Sequence, residues 1–142
     1  MNIINSFRGK FYFLSNFYPF PFLYKGETYK TSEHAFQSEK AANEDDRLYI
    51  KESKDAGESK RRGRKVLCRK DWNDVRTSIM EDVLRCKFSS VEMKSRLLST
   101  GDAELIEGNW WKDTFWGVCE GKGRNELGKL LMKRREELRN DM

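Results

Sequence analysis

The sequence is poor in the residues that build metal sites and disulfide frameworks. His34 is the only histidine, which excludes multi-histidine metal sites and leaves acid–base chemistry mainly to carboxylates, lysine or His34 itself. Three cysteines, Cys68, Cys86 and Cys119, are widely spaced, and an odd count without close pairs argues against disulfides or a zinc cluster. We therefore expect no metal, no cofactor and a reducing, cytoplasmic setting.

Long apolar runs are also missing. No stretch approaches the roughly 20 apolar residues that a membrane span needs. The first residues lack the basic start and the long apolar segment of a signal peptide. A length of 142 residues fits one domain around one core, so we expect a single domain over residues 1–142. With 37% hydrophobic and 36% charged residues, the chain should be soluble with a very polar surface.

Positive charge is concentrated in one segment. The net charge is +5, and seven Lys and Arg residues fall within the eleven residues Lys60–Lys70. Such a patch attracts phosphates of a nucleotide or of nucleic acid, although charge alone reads no sequence. The alternative is a solvated helix face balanced by Glu52, Asp55 and Glu58. The sequence leaves both interpretations open.

The segment Thr31–Ala41 predicts the first turns of a helix, with Thr31 or Ser32 as N-cap. Helical spacing places Glu33, Gln37 and Lys40 on one stripe, at positions i, i+4 and i+7. A carboxylate, an amide and an amine on one face indicate a site. The same spacing is typical of a surface helix with an ordinary Glu–Lys pair.

The remaining pattern predicts a mainly α (α+β) fold with a small aromatic hairpin near the N-terminus. The hairpin turns at Lys25–Glu27, where glycine occupies the tight position. A short strand is expected at Phe11–Leu14, and Ala103–Glu107 reads as a strand or a short helix. Helices are expected at Asp45–Lys54, at Ala56–Val66 with a break near Gly57, from Trp72 to about Phe88, after the Ser90 N-cap, and from about Arg124.

Three of the four tryptophans lie in the segment Glu107–Gly117, which is too irregular for a regular element. Indole faces stack on planar bases, and a carboxyl group beside them is favoured in its protonated form, as proton delivery requires. We expect Trp110 and Trp111 to fill the core. For Asp113 with Trp116 we favour a role in the site over a turn cap.

Two further features indicate a ligand. Gly117 and the segment Gly121–Asn125, which opens the last helix, combine glycines with free N–H groups that attract anions. The spacing matches neither a dinucleotide-binding fingerprint nor a P-loop, and a flexible turn before the helix is the favoured alternative. Trp72 and Arg76, four residues apart, can clamp a nucleotide-like ligand, or they are a core tryptophan and a surface arginine.

Together these pieces resemble the NADAR family of YbiA-like N-glycosidases. The matching motifs run in order across nearly the whole chain, at Phe13–Pro19, Tyr29–Lys40, Asp71–Arg76, Lys87–Phe88, Thr100–Gly101, Glu107, Asp113–Gly117 and Gly123–Met132. The resemblance implies a compact, single-domain, metal-free helical fold that hydrolyses bonds between ribose and a base-like nitrogen. Two activities are associated with the family. One is cleavage of phosphorylated ribosylamino-pyrimidine intermediates of riboflavin synthesis, and the other is removal of ADP-ribose from guanine in DNA.

The resemblance also implies which residues act. Glu33, Trp72, Asp113 and Trp116 are expected in the active site. Lys40 is expected to face the same pocket, where the resemblance allows it a Schiff-base role at the ribose C1; the alternative is that it only keeps Glu33 ionised. We assign Glu33 to the C1 side and Asp113 to proton delivery or to the ribose hydroxyls, and the two roles can be exchanged. The further candidates for substrate contacts are Gln37, Asn16, Phe17, Arg64, Arg76, Gly117, Gly123 and Asn125.

A second class of function fits some of the same features. The basic segment and the tryptophans suit a non-catalytic module that binds ADP-ribose, NAD or nucleic acid without cleaving it. Glu33 and Asp113 speak against that reading, because two carboxylates do not help a pocket to bind an anion. The sequence does not identify the N-glycoside or the oligomeric state. The segment between Trp116 and Gly123 is more compact than the family pattern. This difference falls at the rim of the expected pocket, so it leaves the identity of the substrate undetermined.

Overall fold

A computed structural model describes residues 2–142, and the described chain forms two compact units. The central unit is Asn16–Lys87, and the terminal unit joins the segment up to Ser15 to Phe88–Met142. The helices are α1 (Ser32–Glu39), α2 (Glu44–Lys51), α3 (Ala56–Gly63), α4 (Trp72–Lys87), α5 (Val91–Leu98) and α6 (Glu126–Asn140). The strands are β1 (Ile3–Ile4), β2 (Phe22–Tyr24), β3 (Glu27–Tyr29), β4 (Glu104–Leu105), β5 (Gly108–Asn109) and β6 (Val118–Cys119). The expected mainly α fold is confirmed.

The central unit begins with the predicted hairpin. Strands β2 and β3 are antiparallel, and Tyr24 pairs with Glu27 next to the turn. Lys25 and Gly26 both have positive φ, at 52° and 81°, which is the backbone of a two-residue turn matched to the twist of the strands. Phe22, Tyr24 and Tyr29 are buried, so one face of the hairpin contributes to the core of this unit.

Helix α1 is the core helix of the central unit. Thr31 is its N-cap, and the Thr31 hydroxyl accepts a hydrogen bond from the His34 N–H at 3.1 Å, as the sequence predicts. Every residue from Ser32 to Ser38 is buried, since α2, α3 and α4 all pack against this helix. A polar helix of this composition is therefore enclosed rather than solvated.

The break between α2 and α3 lies earlier than expected. Gly57 is inside α3, and the chain leaves the helical path at Glu52–Asp55 instead. Asp55 sets the boundary, because its carboxylate accepts a hydrogen bond from the Glu58 N–H at 2.8 Å and caps α3. Helix α4 follows the prediction closely, with Ile79, Met80, Val83 and Leu84 on its buried side.

The terminal unit corrects one element. Phe11–Leu14 is not a strand but part of a 3-10 helix, Gly9–Leu14. Gly9 has φ 57°, which redirects the chain after the extended Arg8, and the Phe11 N–H donates to the Arg8 carbonyl. Aromatic residues favour strands, but this backbone geometry and the burial of the adjacent Phe13 and Leu14 override that preference.

Parallel pairing and helix capping organise the rest of the terminal unit. Strand β1 pairs in parallel with β4, which confirms the strand option for Ala103–Glu107. The Ser90 hydroxyl accepts from the Met93 N–H at 3.2 Å and caps α5 as predicted. Helix α6 buries Leu127, Leu131 and Leu138. No helix within residues 2–142 is long and apolar enough to cross a membrane.

Candidate active site

Glu33 is a buried carboxylate in the first turn of α1. Its side chain lies in the central unit with only 7% of the residue exposed, and its backbone N–H donates to the Asn16 carbonyl at 3.0 Å. Gln37, one turn later, donates from Nε2 to Glu33 Oε2 at 2.7 Å. The predicted stripe is thus a buried acid–amide pair, and the alternative of a solvated Glu–Lys face does not hold for its first two members. The catalytic role of Glu33 stays a prediction.

Gln37 itself is held between α1 and α3. It is 9% exposed, and its Oε1 is buried without a hydrogen-bond donor among the described residues. Oε1 lies so close to Gly63 that a Cβ built on that glycine would be 2.1 Å from it. Gly63 was not among the residues that the sequence singled out. The only signal was a glycine among strong helix formers near the end of a helix.

Lys40, the third member of the stripe, caps the C-terminus of α1. Its N–H donates to the carbonyls of Gln37 and Ser38, and its own carbonyl accepts from the Arg69 N–H at 2.9 Å. The backbone is therefore fixed on both sides. Among the described residues, no hydrogen-bond or ion-pair partner lies within reach of the half-buried Lys40 amine. An unpaired amine suits the predicted nucleophile, and its Schiff-base role stays a prediction.

Asn16 fixes the start of α1. It is buried, its carbonyl accepts from the Glu33 N–H, and its Oδ1 accepts from the Ser32 hydroxyl at 2.8 Å. These bonds give Asn16 a structural part in placing Glu33. Phe17, the next residue, is exposed on the surface of the unit. The predicted contact of either residue with substrate is untested.

Trp72 is largely buried and packs on Phe36 of α1, with ring centroids 4.9 Å apart. This contact makes it a core tryptophan that links α4 to α1. Arg76, one turn later, is half-buried, and Arg64 is exposed just after α3. A substrate contact for these three residues stays a prediction.

His34 is removed from the list of acid–base candidates. Its Nε2 lies 3.0 Å from the Ser53 carbonyl, which can only accept, so Nε2 carries the proton. Nδ1 then accepts from the Thr31 hydroxyl at 2.7 Å. Burial lowers the pKa of His34. A fully buried imidazole with both nitrogens occupied is a structural element of the core.

Asp113 lies in the terminal unit, in the loop between β5 and β6. Its Oδ1 accepts from the backbone N–H groups of Phe115 and Trp116, at 3.1 and 2.9 Å. Asn109 holds the same loop, because its side chain bonds both the N–H and the carbonyl of Asp113. One carboxylate oxygen therefore caps a turn, and the predicted catalytic role falls to the other oxygen. Glu33 and Asp113 belong to different units, and their joint role stays a prediction.

Trp110 and Trp111 do not fill the core, contrary to expectation. They are 69% and 45% exposed. Lys112, directly after the two indoles, has φ 67°, a left-handed backbone conformation that non-glycine residues seldom adopt. The Arg8 guanidinium lies 4.1 Å from the centre of the Trp110 ring and covers one face. An open cleft of about 510 Å³ beside Trp110 also includes Arg8 and Asn5.

The start of α6 does not offer the free N–H groups that its glycines suggested. The N–H groups of Arg124, Asn125, Glu126 and Leu127 donate to the four consecutive carbonyls of Thr114–Gly117, at 2.8–3.3 Å. The loop thus occupies N–H groups at the end of the helix that an anion would use, so the expectation of free N–H groups is wrong for these four residues.

The glycines and Asn125 instead serve close packing of this loop. A Cβ on Gly117 would lie 2.2 Å from the Glu107 carbonyl, and one on Gly123 would lie 2.1 Å from the Gly117 carbonyl. Asn125 has φ 54°, and its side chain accepts from the Glu107 N–H and donates to the Leu105 carbonyl, both at 2.9 Å. These three residues hold the segment that carries Asp113 and Trp116. Direct contact with substrate stays a prediction for all of them, including Trp116.

No three His, Cys, Asp or Glu side chains in residues 2–142 are grouped so as to hold a metal ion.

Comparison with known proteins identifies the family. The sequence profile of the NADAR domain matches residues 5–139. The N-glycosidase YbiA of Escherichia coli is 40% identical over 129 residues, which cover 87% of this chain and 79% of YbiA. A riboflavin biosynthesis protein of Vibrio vulnificus is 42% identical over 132 residues, or 89% of this chain and 35% of that protein. This chain therefore spans about a third of the Vibrio protein.

The fold agrees with these sequence matches. The solution NMR structure of E. coli YbiA aligns with a TM-score of 0.88 and 36% identity, over 99% of this chain and 86% of that one. The mainly α fold and the family resemblance expected from the motifs are both confirmed. The chain therefore belongs to the NADAR domain family and is an enzyme of the N-glycosidase type.

Proposed function

We propose that this enzyme hydrolyses the N-glycosidic bond of a phosphorylated ribosylamino-pyrimidine, an intermediate of riboflavin synthesis, with Glu33 acting at the ribose C1. The observation that carries the proposal is the buried Glu33–Gln37 pair on α1, joined by a 2.7 Å hydrogen bond. The relative from Vibrio vulnificus, which is named a riboflavin biosynthesis protein, supports this choice of substrate.

The chemistry explains why a fixed carboxylate is useful. As the bond breaks, its electron pair leaves with the base nitrogen, which takes up a proton, and positive charge grows on the ribose C1. A carboxylate beside C1 stabilises that charge and accepts a proton from the water that attacks. The amide of Gln37 donates to one oxygen of Glu33 and thus fixes the direction of the carboxylate. Because both side chains are buried, the packing around them restricts the carboxylate to this one orientation.

The test is the isosteric change Glu33→Gln. The new amide oxygen can still accept from Gln37, so we expect a normal fold and a loss of roughly a hundredfold or more in kcat. Glu39→Gln is the matched control, since Glu39 lies at the end of α1 and pairs with Lys25 at 2.8 Å. Full activity of Glu33→Gln on a substrate that the unmodified enzyme hydrolyses would falsify the assignment.

A second substrate is favoured by charge. Within the basic segment, Lys60, Arg61, Arg64, Lys65 and Lys70 form no ion pair with any carboxylate of residues 2–142, whereas Arg62 pairs with Glu58 and Arg69 with Asp71. Unpaired surface cations attract a phosphate backbone. This surface suits ADP-ribosylated guanine in DNA, from which the enzyme would remove ADP-ribose.

Incubation with each substrate in separate reactions decides between them. Release of the pyrimidine supports metabolite hydrolysis, and restoration of guanine in the oligonucleotide supports DNA repair. If ADP-ribose raises the unfolding temperature while both substrates stay intact, both proposed substrates are wrong and binding of ADP-ribose without cleavage is favoured.

A further inference from the structure

We propose that Gly63 is a positioning residue for Glu33 and acts through the side chain of Gln37. The inference rests on the proposed function, because it assumes that Glu33 takes part in catalysis. Gly63 is the last residue of α3, and it is buried where α3 packs on α1. Because position 63 has no side chain, the Gln37 amide can lie directly against the backbone of α3.

The available space is defined by three distances. A Cβ at position 63 would lie 2.1 Å from Gln37 Oε1, 3.0 Å from its Cδ and 3.5 Å from its Cβ. Non-bonded atoms essentially never approach a Cβ to less than 3.0 Å, so an alanine here must displace the amide. Such a displacement is cheap for a long side chain that can move into solvent. Gln37 is only 9% exposed, and its Nε2 donates a hydrogen bond to Glu33 Oε2.

The displacement therefore reaches Glu33. When Oε1 moves away from α3, Nε2 of the same planar amide moves with it, and the 2.7 Å bond to Glu33 Oε2 is lengthened or lost. Oε1 already lacks a donor among the described residues, so no second bond holds the amide in place. The absence of a Cβ at Gly63 thus gives the Gln37 amide the space in which it can bond Glu33, and Gln37 in turn orients the carboxylate.

The same helix provides a matched control. Gly57 also lies in α3, and a Cβ there would meet its nearest atoms at 3.4 and 3.5 Å, which is ordinary contact. Neither glycine has a positive φ that would strain an alanine. Gly57→Ala and Gly63→Ala therefore make the same chemical change in the same helix, and they differ in the collision with Gln37.

The first experiment needs no substrate. The side-chain amide resonances of Gln37 are assigned by their disappearance in Gln37→Ala. We expect Gly63→Ala to shift these resonances several times more than Gly57→Ala does, because the hydrogen bond from the Gln37 amide to the Glu33 carboxylate changes. Equal shifts in the two alanine variants would overturn the inference, whatever the substrate is.

The second experiment measures kinetics with the ribosylamino-pyrimidine phosphate and with the ADP-ribosylated oligonucleotide. We expect Gly63→Ala to lower kcat roughly tenfold or more, the equivalent of one charge-assisted hydrogen bond, with little change in KM. Gln37→Ala should lower kcat similarly, and the double variant should be no worse than Gln37→Ala, since the collision is then absent.

The outcomes separate the two proposals. If Glu33→Gln is inactive while Gly63→Ala keeps the kcat of Gly57→Ala, the positioning role is wrong and the proposed function stands. If Glu33→Gln is fully active, the proposed catalytic role of Glu33 is wrong, whatever the kcat of Gly63→Ala. If Gly63→Ala is too unstable to assay, Gly63→Ala/Gln37→Ala is compared with Gln37→Ala. A further loss of kcat in the double variant contradicts a role through Gln37, and equal kcat values support it.

Discussion

Replacing Asn125 by alanine should markedly lower the unfolding temperature of the protein. Asn125 precedes α6 and has φ 54° and ψ 43°, a left-handed conformation that asparagine tolerates better than alanine. Its side chain is buried and connects two parts of the unit, through the Glu107 N–H and the Leu105 carbonyl. Alanine keeps neither bond.

The expected loss follows from these contacts. Leu105 is fully buried, so loss of the hydrogen bond from Asn125 to its carbonyl costs about 2 kcal/mol. Glu107 is half-buried, so loss of the hydrogen bond from its N–H to Asn125 costs about 1 kcal/mol. Alanine at positive φ adds about 1 kcal/mol. The free energy of unfolding should therefore fall by about 4 kcal/mol, which for a chain of this size lowers Tm by roughly 10–15 °C.

The assay is urea and thermal unfolding followed by circular dichroism. Asn125→Gly should lose about 1 kcal/mol less than Asn125→Ala, since glycine accepts positive φ without strain. Asn140→Ala is the control, because Asn140 is exposed at the end of α6 and should stay within about 0.5 kcal/mol of the unmodified protein. A loss below about 1 kcal/mol for Asn125→Ala would refute the bonding argument.

Three further predictions concern single side chains. Burial lowers the pKa of His34 from its ordinary value of 6.5, so the neutral imidazole contributes its full stability above that pH and the contribution is lost as the pH falls. His34→Leu should therefore make the urea midpoint less dependent on pH between pH 8 and 5. Asp113→Asn keeps an oxygen for the two turn N–H groups, so kcat should fall about a hundredfold with Tm nearly unchanged, whereas Asp113→Ala should lower both. Borohydride during turnover should trap an adduct on Lys40, and an active Lys40→Ala variant without adduct would remove the Schiff-base role.

Local signals in the sequence predicted the local structure well. The turn at Lys25–Gly26, the Thr31 and Ser90 caps and the span of α4 depend on residues that are neighbours in the chain. Such signals act over a few residues, so no tertiary information is needed to read them. The 3-10 helix at Gly9–Leu14 shows the limit, because its aromatic residues favour a strand and only packing decides otherwise.

Signals that depend on distant residues were misread. The glycines before α6 predicted free N–H groups, but the carbonyls of Thr114–Gly117 occupy those groups from about ten residues away in sequence. Trp110 looked like a core residue, but it is exposed and one face of its ring is covered by the Arg8 guanidinium, a partner about one hundred positions away in the chain. In both cases the residue type was informative and the partner could not be inferred from spacing.

The stripe on α1 shows how tertiary packing turns an ambiguous pattern into a candidate site. Spacing alone allowed Glu33, Gln37 and Lys40 to be a solvated face, and that interpretation requires water around the carboxylate. Helices α2, α3 and α4 exclude water from Glu33 and Gln37, and burial of a carboxylate is costly unless something compensates for it. The bond from Gln37 supplies part of that compensation. The absence of a Cβ at Gly63 leaves room for this amide between α1 and α3. Replacing a buried polar pair by apolar residues of similar volume is often neutral or stabilising. If Glu33 and Gln37 are retained for function, as we propose, exchange of both for Leu in one variant should give equal or higher stability with no activity. A large loss of stability would show that the pair serves the fold.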